Sequence, residues 1–307
     1  MVATMHDISG FVATVWAEEF MISYAKRDNI FPHFRHVAAA PGVKYIDVPV
    51  FGGLTANART PGGGADVTLQ TGTRTSIRVT LDKIYETSVL NDSVEDLQSK
   101  VEYMGPMVEE MSNALLGQID TQVLTMLAAW TSLPAANQKA SAAEITDTGT
   151  NVADEVERLI MEACAQLDTN LGVNVGNRFV LIDSWANRKL IKDSPKQSPE
   201  RTDVAFGYAS GNASPIQGCD IIPFTGSTTN RSYAAAGYTQ TTIKFYVCTS
   251  DAIALGVQQT PDLKATYEGM KRSDLLSAEE VFGLKEGVSD AMIECSLIVD
   301  GDLFGLA

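Results

Sequence analysis

The chain has 307 residues, of which 45% are apolar and 20% charged, and its 38 acidic and 23 basic residues give a formal net charge of -15. This composition is ordinary for a globular protein, and the length predicts about two domains. The acidic balance argues against a surface that binds phosphates, because nucleic-acid affinity depends mostly on Lys and Arg. No apolar run approaches the roughly 20 residues of a membrane-spanning helix, and the N-terminal residues lack the basic and apolar regions of a signal peptide.

The cysteines and histidines show no spacing typical of a catalytic or metal site. The four cysteines contain no C-x-x-C pair and are interpreted as structural thiols: Cys164, Cys219, Cys248 and Cys295. The three histidines all lie near the N-terminus and close to no cysteine: His6, His33 and His36. The P-loop, nucleophile-elbow and H-E-x-x-H motifs are missing from the sequence. We therefore expect no catalytic residue, no cofactor, no metal and no enzyme activity.

The N-terminal region predicts a helix over residues 9–28. Its apolar side chains recur every four positions, at Val12, Trp16, Phe20 and Tyr24. An aromatic-rich stripe must pack on something, and the sequence leaves two partners open. One is the chain's own core, and the other is a neighbouring subunit.

Two alternating segments then predict a β-hairpin. In residues 43–51 we assign Val43, Tyr45, Val48 and Val50 to the buried face, and Pro49 marks an edge strand. Residues 73–82 alternate in the same way. The tip between them, residues 52–72, is rich in glycine and far longer than an ordinary hairpin loop. Because a two-stranded arm is marginal in isolation, we expect contacts outside its own domain.

The middle of the chain predicts a short helix over 92–103, begun by Asn91 or Asp92, and then a long one. The long helix starts at Pro106 and runs to about Trp130 with a continuous apolar stripe. At 1.5 Å per residue its length is roughly 37 Å.

The second half predicts an α/β unit followed by closing strands. Residues 131–151 are interpreted as a linker and 270–287 as an irregular polar stretch. Ser184 is the expected N-cap of the second helix. The predicted elements, in order, are a helix at 152–169, a buried strand at 178–183, a helix at 184–193, a long loop at 194–215, and strands at 220–224, 242–250, 263–269 and 290–299.

This order of elements resembles that of the major capsid proteins of tailed bacteriophages, which share the HK97-like coat fold. The likeness is carried by RFVLIDSWANRKLIKD, by SPIQGCDIIPF and by the last strands, from IALGVQQTPDLKATYEG to DAMIECSLIV. It implies an α+β chain with an N-terminal arm, an extended β-hairpin E-loop, a P-domain with a long spine helix and an α/β A-domain. The implied limits are 1–40 for the arm, 41–91 for the E-loop, 92–133 for the P-domain with its spine helix, 134–260 for the A-domain and 261–307 for the closing strands of the P-domain.

The resemblance also implies a function and partners. The chain would self-assemble into hexamers and pentamers of an icosahedral virion capsid, built in the host bacterial cytoplasm around double-stranded DNA that it does not bind sequence-specifically. A portal and a separate scaffolding protein would be partners, and no membrane would be involved. An encapsulin-like nanocompartment that encloses cargo enzymes is the alternative.

Some members of this family link their subunits through isopeptide bonds that need a Lys, an Asn and a Glu. Glu279 matches the Glu, but Arg272 stands where the Asn is expected. No Lys occurs between Tyr45 and Asp82, and no Asn follows Leu263. We therefore predict no cross-link. Non-covalent contacts alone or a cement protein would hold the shell, and the sequence does not choose between them.

The distribution of charge suggests one set of contacts between subunits. Residues 41–92 carry no net charge, whereas residues 93–130 carry a net charge of -5. We expect Arg59, Arg74 and Arg78 of the hairpin to contact an acidic helix of a neighbour. Trp16 and Phe20 of the predicted N-terminal helix are candidates for apolar contacts with a neighbouring subunit, and the chain's own core stays the other option for them. A solvated acidic helix face is the alternative interpretation.

Overall fold

The computed structural model describes residues 30–51, 74–92, 104–141, 145, 152–171, 177–193, 215–216, 218–224, 231–233, 240–268 and 273–300. The helices are α1 (Met104–Ala128), α2 (Val152–Leu171) and α3 (Ser184–Asp193). The strands are β1 (Arg35–Ala38), β2 (Tyr45–Phe51), β3 (Arg74–Thr80), β4 (Lys83–Asp92), β5 (Gln138–Ala140), β6 (Arg178–Asp183), β7 (Asp220–Phe224), β8 (Arg231–Tyr233), β9 (Gln240–Thr249), β10 (Ile253–Glu268), β11 (Ser273–Glu286) and β12 (Met292–Asp300).

Helix α1 confirms the long helix that the apolar stripe predicted. It has 25 residues, and Pro106 lies in its first turn, where the missing N–H is tolerated. The buried side chains follow the 3.6-residue period: Val108, Met111, Leu115, Ile119, Val123 and Leu127. The N-terminal half of α1 packs on Leu263 and Leu276 of β10 and β11. Its C-terminal half packs in a second cluster with Tyr246 and Phe282. The helix thus contacts two sheets.

A four-stranded sheet lies along the first half of α1, in the order β1-β10-β11-β4. Strand β11 overturns the expectation that residues 270–287 are irregular, and β4 was not predicted at all. Both strands carry apolar residues on their two faces: Leu276 of β11 is buried, while Val281 of the same strand faces away from α1. Because the alternation of apolar and polar residues is blurred, a strand is hard to recognise from the sequence.

A six-stranded sheet forms the other layer, in the order β5-β12-β9-β6-β7 with β8 beside β9. Strand β6 lies between β9 and β7 and confirms the buried strand. Its Val180 and Ile182 face the cluster that contains α2 and α3, and its Phe179 and Leu181 face the cluster that contains α1. The interpretation of residues 131–151 as a linker is wrong for β5, which pairs in parallel with β12.

The start of α3 differs from the expectation in one detail. The backbone N–H of Trp185 donates a hydrogen bond of 2.8 Å to the carboxylate of Asp183. A side-chain oxygen that accepts from the second helical N–H is the usual N-cap arrangement. Asp183, rather than Ser184, is therefore the cap.

Several expected elements fall outside the described residues: the helix at 9–28, the tip at 52–72, all but Asp92 of the helix at 92–103, and the loop at 194–215 up to residue 214. Strand β10 continues through the domain limit that we expected at residue 260, and β12 lies in the six-stranded sheet. None of the described helices combines the length and the apolar character needed to cross a membrane. The four cysteines are free and buried in the core.

Candidate subunit-contact surfaces

The hairpin predicted from the sequence is present. Strands β2 and β3 pair antiparallel, from Tyr45 opposite Thr80 to Phe51 opposite Arg74. Pro49 stands opposite Ser76 in this two-stranded ladder. Because Pro has no N–H to donate, it suits a strand that lies at a sheet edge.

The structure corrects two of the residues that the sequence assigned to the buried face of the hairpin. Val48 and Val79 pack on Ala254 of the four-stranded sheet, with Ile46 beside them. Tyr45, which we assigned to the buried face, is 49% exposed, and Val43 is 38% exposed. The side chains of β2 that face the sheet are therefore those of Ile46 and Val48, which are two positions apart, as the alternation of side chains along a strand requires.

The root of the hairpin rests on the sheet through two glycines. A Cβ added to Gly283 would lie 2.1 Å from the carbonyl oxygen of Thr80. A Cβ added to Gly256 would lie 2.9 Å from Cδ2 of Leu81. Gly256 and Gly283 are directly opposite each other in the β10–β11 ladder. This contact positions the hairpin on the face of the four-stranded sheet that points away from α1.

The exposed face of the hairpin carries Arg78, the only proposed contact residue whose side chain the structure describes. Its Nε donates to Oδ1 of Asp47 at 2.9 Å, and its Nη2 donates to Oδ2 at 3.1 Å. Its guanidinium carbon lies 4.3 Å from the centre of the Tyr45 ring, within the range of a cation–π contact. The hydrogen bonds from Arg78 lower the pKa of Asp47. Arg78 is therefore engaged within its own hairpin.

The remaining proposed contact residues are not brought together by the described part of the chain. Arg74 is the first residue of β3, and its backbone pairs with Phe51. The side chain of Arg74 lies outside the described residues, and so do Arg59, Trp16 and Phe20. Their roles between subunits stay predictions.

A second surface was missed by the sequence reasoning. We call it the outer face: the exposed side of β4 and β11, formed by Ile84, Glu86, Ser88, Leu90, Leu275, Ser277, Glu279 and Val281. Ile84 is 62% exposed and Leu90 is 44% exposed. In the ladder, Ile84 stands opposite Val281, and Leu90 stands opposite Leu275. The sequence did contain a signal for this surface: in KIYETSVLND, apolar residues occupy even and odd positions alike, so both faces of the strand carry them.

The centre of the outer face holds two acidic residues. Glu86 and Glu279 are directly opposite each other in the β4–β11 ladder, and both are exposed. Like charges in this arrangement destabilise a sheet. Strand β4 is also the last strand of the sheet as described, and an open sheet edge is prone to pairing with another chain. The outer face therefore has the features of a surface that a cationic, partly apolar partner would stabilise.

The described residues contain no group of three or more His, Cys, Asp or Glu side chains that could hold a metal ion. The hairpin presents exposed apolar side chains and the Arg78–Asp47 charge pair, and the outer face presents exposed apolar side chains around two carboxylates. Such surfaces are suited to binding another chain.

No protein-family model matches the sequence, and no curated protein matches it either. Solved structures do match. The capsid of cyanophage P-SCSP1u is 19% identical, with a TM-score of 0.66 over 88% of each chain. The capsid of Ralstonia phage GP4 is 10% identical, with a TM-score of 0.62 over 90% of this chain and 92% of that chain. A virus-like particle from Pyrococcus furiosus is 11% identical, with a TM-score of 0.53 over 94% of this chain and 98% of that chain.

These likenesses, together with the helix and sheet arrangement described above, show the fold. The chain has the α+β, HK97-like coat fold of tailed-phage capsids, as the resemblance in the sequence predicted.

Proposed function

We propose that this chain, as a protein with the coat fold, is a major capsid protein whose hexamers and pentamers build an icosahedral shell around phage double-stranded DNA. The observation that carries the proposal is the likeness to the cyanophage P-SCSP1u capsid over 88% of both chains. The role is structural and not enzymatic. Because the chain is acidic, it would enclose DNA without binding its phosphates tightly.

The shell would lie in the virion, after assembly in the host bacterial cytoplasm. A portal and a separate scaffolding protein are the proposed partners, and a cement protein is a further one if non-covalent contacts between subunits do not suffice. Closed shells multiply weak contacts through effective concentration, so each contact between subunits need not be strong.

The domain limits follow as part of the same proposal: an N-terminal arm at 1–40, an E-loop at 41–91, a P-domain at 92–133 and 261–307, and an A-domain at 134–260. The sheets refine this division. Strand β4 pairs with β11 beside α1, so we assign it to the P-domain. Strand β12 pairs with β9 between β5 and β6, so we assign it to the A-domain.

We place the contact between neighbours at the outer face. The hairpin of one subunit would extend its tip over the outer face of the next, with Ile84 and Leu90 covered and an arginine beside Glu86 and Glu279. Arg59 and Arg74 are the candidates, because Arg78 is already bound to Asp47. This surface is a better target than the acidic helix proposed from the sequence, since it adds apolar area to charge.

Charge reversal distinguishes the two targets. Glu279→Lys places a cation on the outer face, and Glu109→Lys places one on the exposed side of α1. We expect the first change to impair assembly and the second to leave it intact. The reverse outcome would favour the acidic helix as the target. Intact assembly in both variants would show that neither of these charges contributes to the contact between subunits.

We also propose that the shell has no isopeptide bonds. Glu279 is exposed on the outer face, but the Lys and the Asn that such a bond requires are missing from the positions where the resemblance expects them. Denaturing gels of purified particles should therefore show a single band at the mass of the chain. A ladder of covalent multimers would contradict this.

The contents of the particle separate the phage shell from a nanocompartment. The likeness to the Pyrococcus furiosus virus-like particle has a TM-score of 0.53, lower than the 0.66 of the cyanophage capsid. Particles isolated from cells that make this chain, treated with nuclease and then opened, should release double-stranded DNA. Enclosed protein without nucleic acid would instead support the nanocompartment.

A further inference from the structure

Two of the four buried thiols lie in contact. Cys164 on α2 and Cys219, the residue before β7, have their Sγ atoms 3.1 Å apart. Cys164 is 4% exposed and Cys219 is fully buried. A disulfide bond is about 2.05 Å long, so the two sulfur atoms lie within about 1 Å of bonding distance.

The backbone fixes the position of Cys219. Its N–H donates to the carbonyl of Ile216 at 2.9 Å, and its carbonyl accepts from the N–H of Ile216 at 3.3 Å. Gly218 has a φ of +75°, a left-handed conformation that glycine adopts without strain. The residue after Cys219, Asp220, pairs with Phe179 in the β6–β7 ladder. The thiol is therefore held by a tight turn and by a sheet.

A cation lies next to the thiol pair. Arg178, the first residue of β6, binds the carboxylate of Asp168, which lies one helical turn after Cys164. The hydrogen bond from Cys219 and the charge of Arg178 lower the pKa of Cys164. The same hydrogen bond and burial raise the pKa of Cys219. The pKa of Cys164 is therefore shifted down and that of Cys219 up, which makes Cys164 the more acidic thiol of the pair.

The other two cysteines have a different environment. Burial raises the pKa of Cys248 and of Cys295. An inert buried thiol of this kind behaves as a small apolar side chain. These residues are natural controls within the same chain.

We propose that Cys164 and Cys219 form an oxidisable pair, which hydrogen peroxide converts to a disulfide that joins α2 to the start of β7. The Cys164 thiolate attacks one peroxide oxygen, the O–O bond breaks, and Cys164 becomes a sulfenic acid as hydroxide leaves. The proton that Cys164 gave up neutralises this hydroxide and forms the first water. The sulfur of Cys219 then attacks the sulfur of Cys164, the S–O bond breaks, the hydroxyl leaves with the proton of Cys219 as the second water, and the S–S bond forms. Two thiols and one peroxide therefore give one disulfide and two waters.

The disulfide would join two residues that are 55 positions apart. Cross-links that close long loops restrict the unfolded chain. We expect the oxidised subunit to melt roughly 5–10 °C above the reduced one. The inference depends on contacts within one subunit and not on the proposed shell, so either can fail without the other.

The test is a count of thiols in the purified full chain before and after hydrogen peroxide treatment of the folded protein. Alkylation after denaturation should find four thiols before treatment and two afterwards. Peptide mapping should show one linked pair that contains Cys164 and Cys219, and a reducing agent should restore four thiols. Four remaining thiols, a different pair, or sulfinic acid at Cys164 without a cross-link would overturn the proposal.

Two matched variants complete the experiment. In Cys219→Ala the cross-link cannot form, and a sulfenic-acid probe should label Cys164. In Cys248→Ala the cross-link should form as in the parent chain, and the rise in melting temperature should persist. Loss of the cross-link in Cys248→Ala, or an unlabelled Cys164 in a folded Cys219→Ala, would contradict the assignment.

Discussion

Gly283 of β11 lies so close to Thr80 of β3 that a Cβ at position 283 would be 2.1 Å from the Thr80 carbonyl oxygen. The neighbour is backbone and cannot rotate away, so Gly283→Ala should move the root of the hairpin or strain the sheet. We expect a loss of about 1–3 kcal/mol in the free energy of unfolding, measured by urea denaturation of the subunit.

The control for this change is Gly117→Ala in α1, where an added Cβ meets no atom within 4 Å. Ala is favoured over Gly inside a helix by roughly 0.5–1 kcal/mol, so this variant should be more stable than the parent. Equal effects of the two substitutions would show that the hairpin does not rest on Gly283.

The Arg78–Asp47 pair predicts a pH dependence with a defined sign. Arg78 holds the pKa of Asp47 below its ordinary value of 3.8. Asp47 is therefore more acidic in the folded than in the unfolded chain. Its contribution to stability is complete above pH 3.8 and is lost as the pH falls through the lower, folded-state pKa.

The measurement is an NMR titration of the Asp47 carboxyl group. In Arg78→Leu the pKa of Asp47 should rise toward its ordinary value. In Arg35→Leu, which removes an exposed arginine bound to Asp251, the Asp47 titration should not change. An unchanged pKa in Arg78→Leu would mean that the pair does not persist in solution.

The N-cap of α3 gives a prediction that distinguishes Asp183, the cap in the structure, from Ser184, the cap expected from the sequence. Asp183 accepts from the N–H of Trp185, so Asp183→Ala should cost about 1–2 kcal/mol of unfolding free energy. Ser184→Ala should change it by less than about 0.5 kcal/mol. Chemical denaturation of the two variants measures the difference, and a larger loss in Ser184→Ala would restore the cap expected from the sequence.

The outer face predicts a change in assembly without a change in folding. Ile84 is 62% exposed, so Ile84→Asp should leave the subunit folded, with its melting temperature lowered by no more than about 4 °C. If a neighbour covers Ile84, the new charge is buried without a partner. The yield of assembled particles should fall at least about tenfold, since a loss of only ~1.4 kcal/mol changes an equilibrium constant by that factor.

Met161→Asp is the matched control, because Met161 is a 37% exposed apolar residue on α2, which packs on the six-stranded sheet and not on the sheet that contains β4. Particle yields, measured by sedimentation, should be normal for this variant. If both aspartates reduce the yield equally, the outer face has no special role in assembly.

The elements that the sequence predicted well are those in which burial in the core of the chain alone determines the pattern of apolar residues. In α1 the stripe from Val108 to Leu127 faces packed sheets along its whole length, so the 3.6-residue period is clear. Strand β6 is buried on both faces and reads as a continuous apolar run.

The misses have a physical reason as well. Strands β4 and β11 carry Ile84 and Val281 on the face away from the core. Apolar residues on an exposed face weaken the alternation that identifies a strand. The same reasoning applies to Tyr45, which is exposed beside Arg78 although its residue type favours burial. The candidate contact surface was therefore the least predictable part of the fold.

The size of the purified protein in solution decides whether this chain is a shell subunit, as we propose. Sedimentation velocity at micromolar concentration, with negative-stain microscopy of the same sample, measures it. We expect hexamers and pentamers or closed shells. A stable monomer that never associates would contradict it.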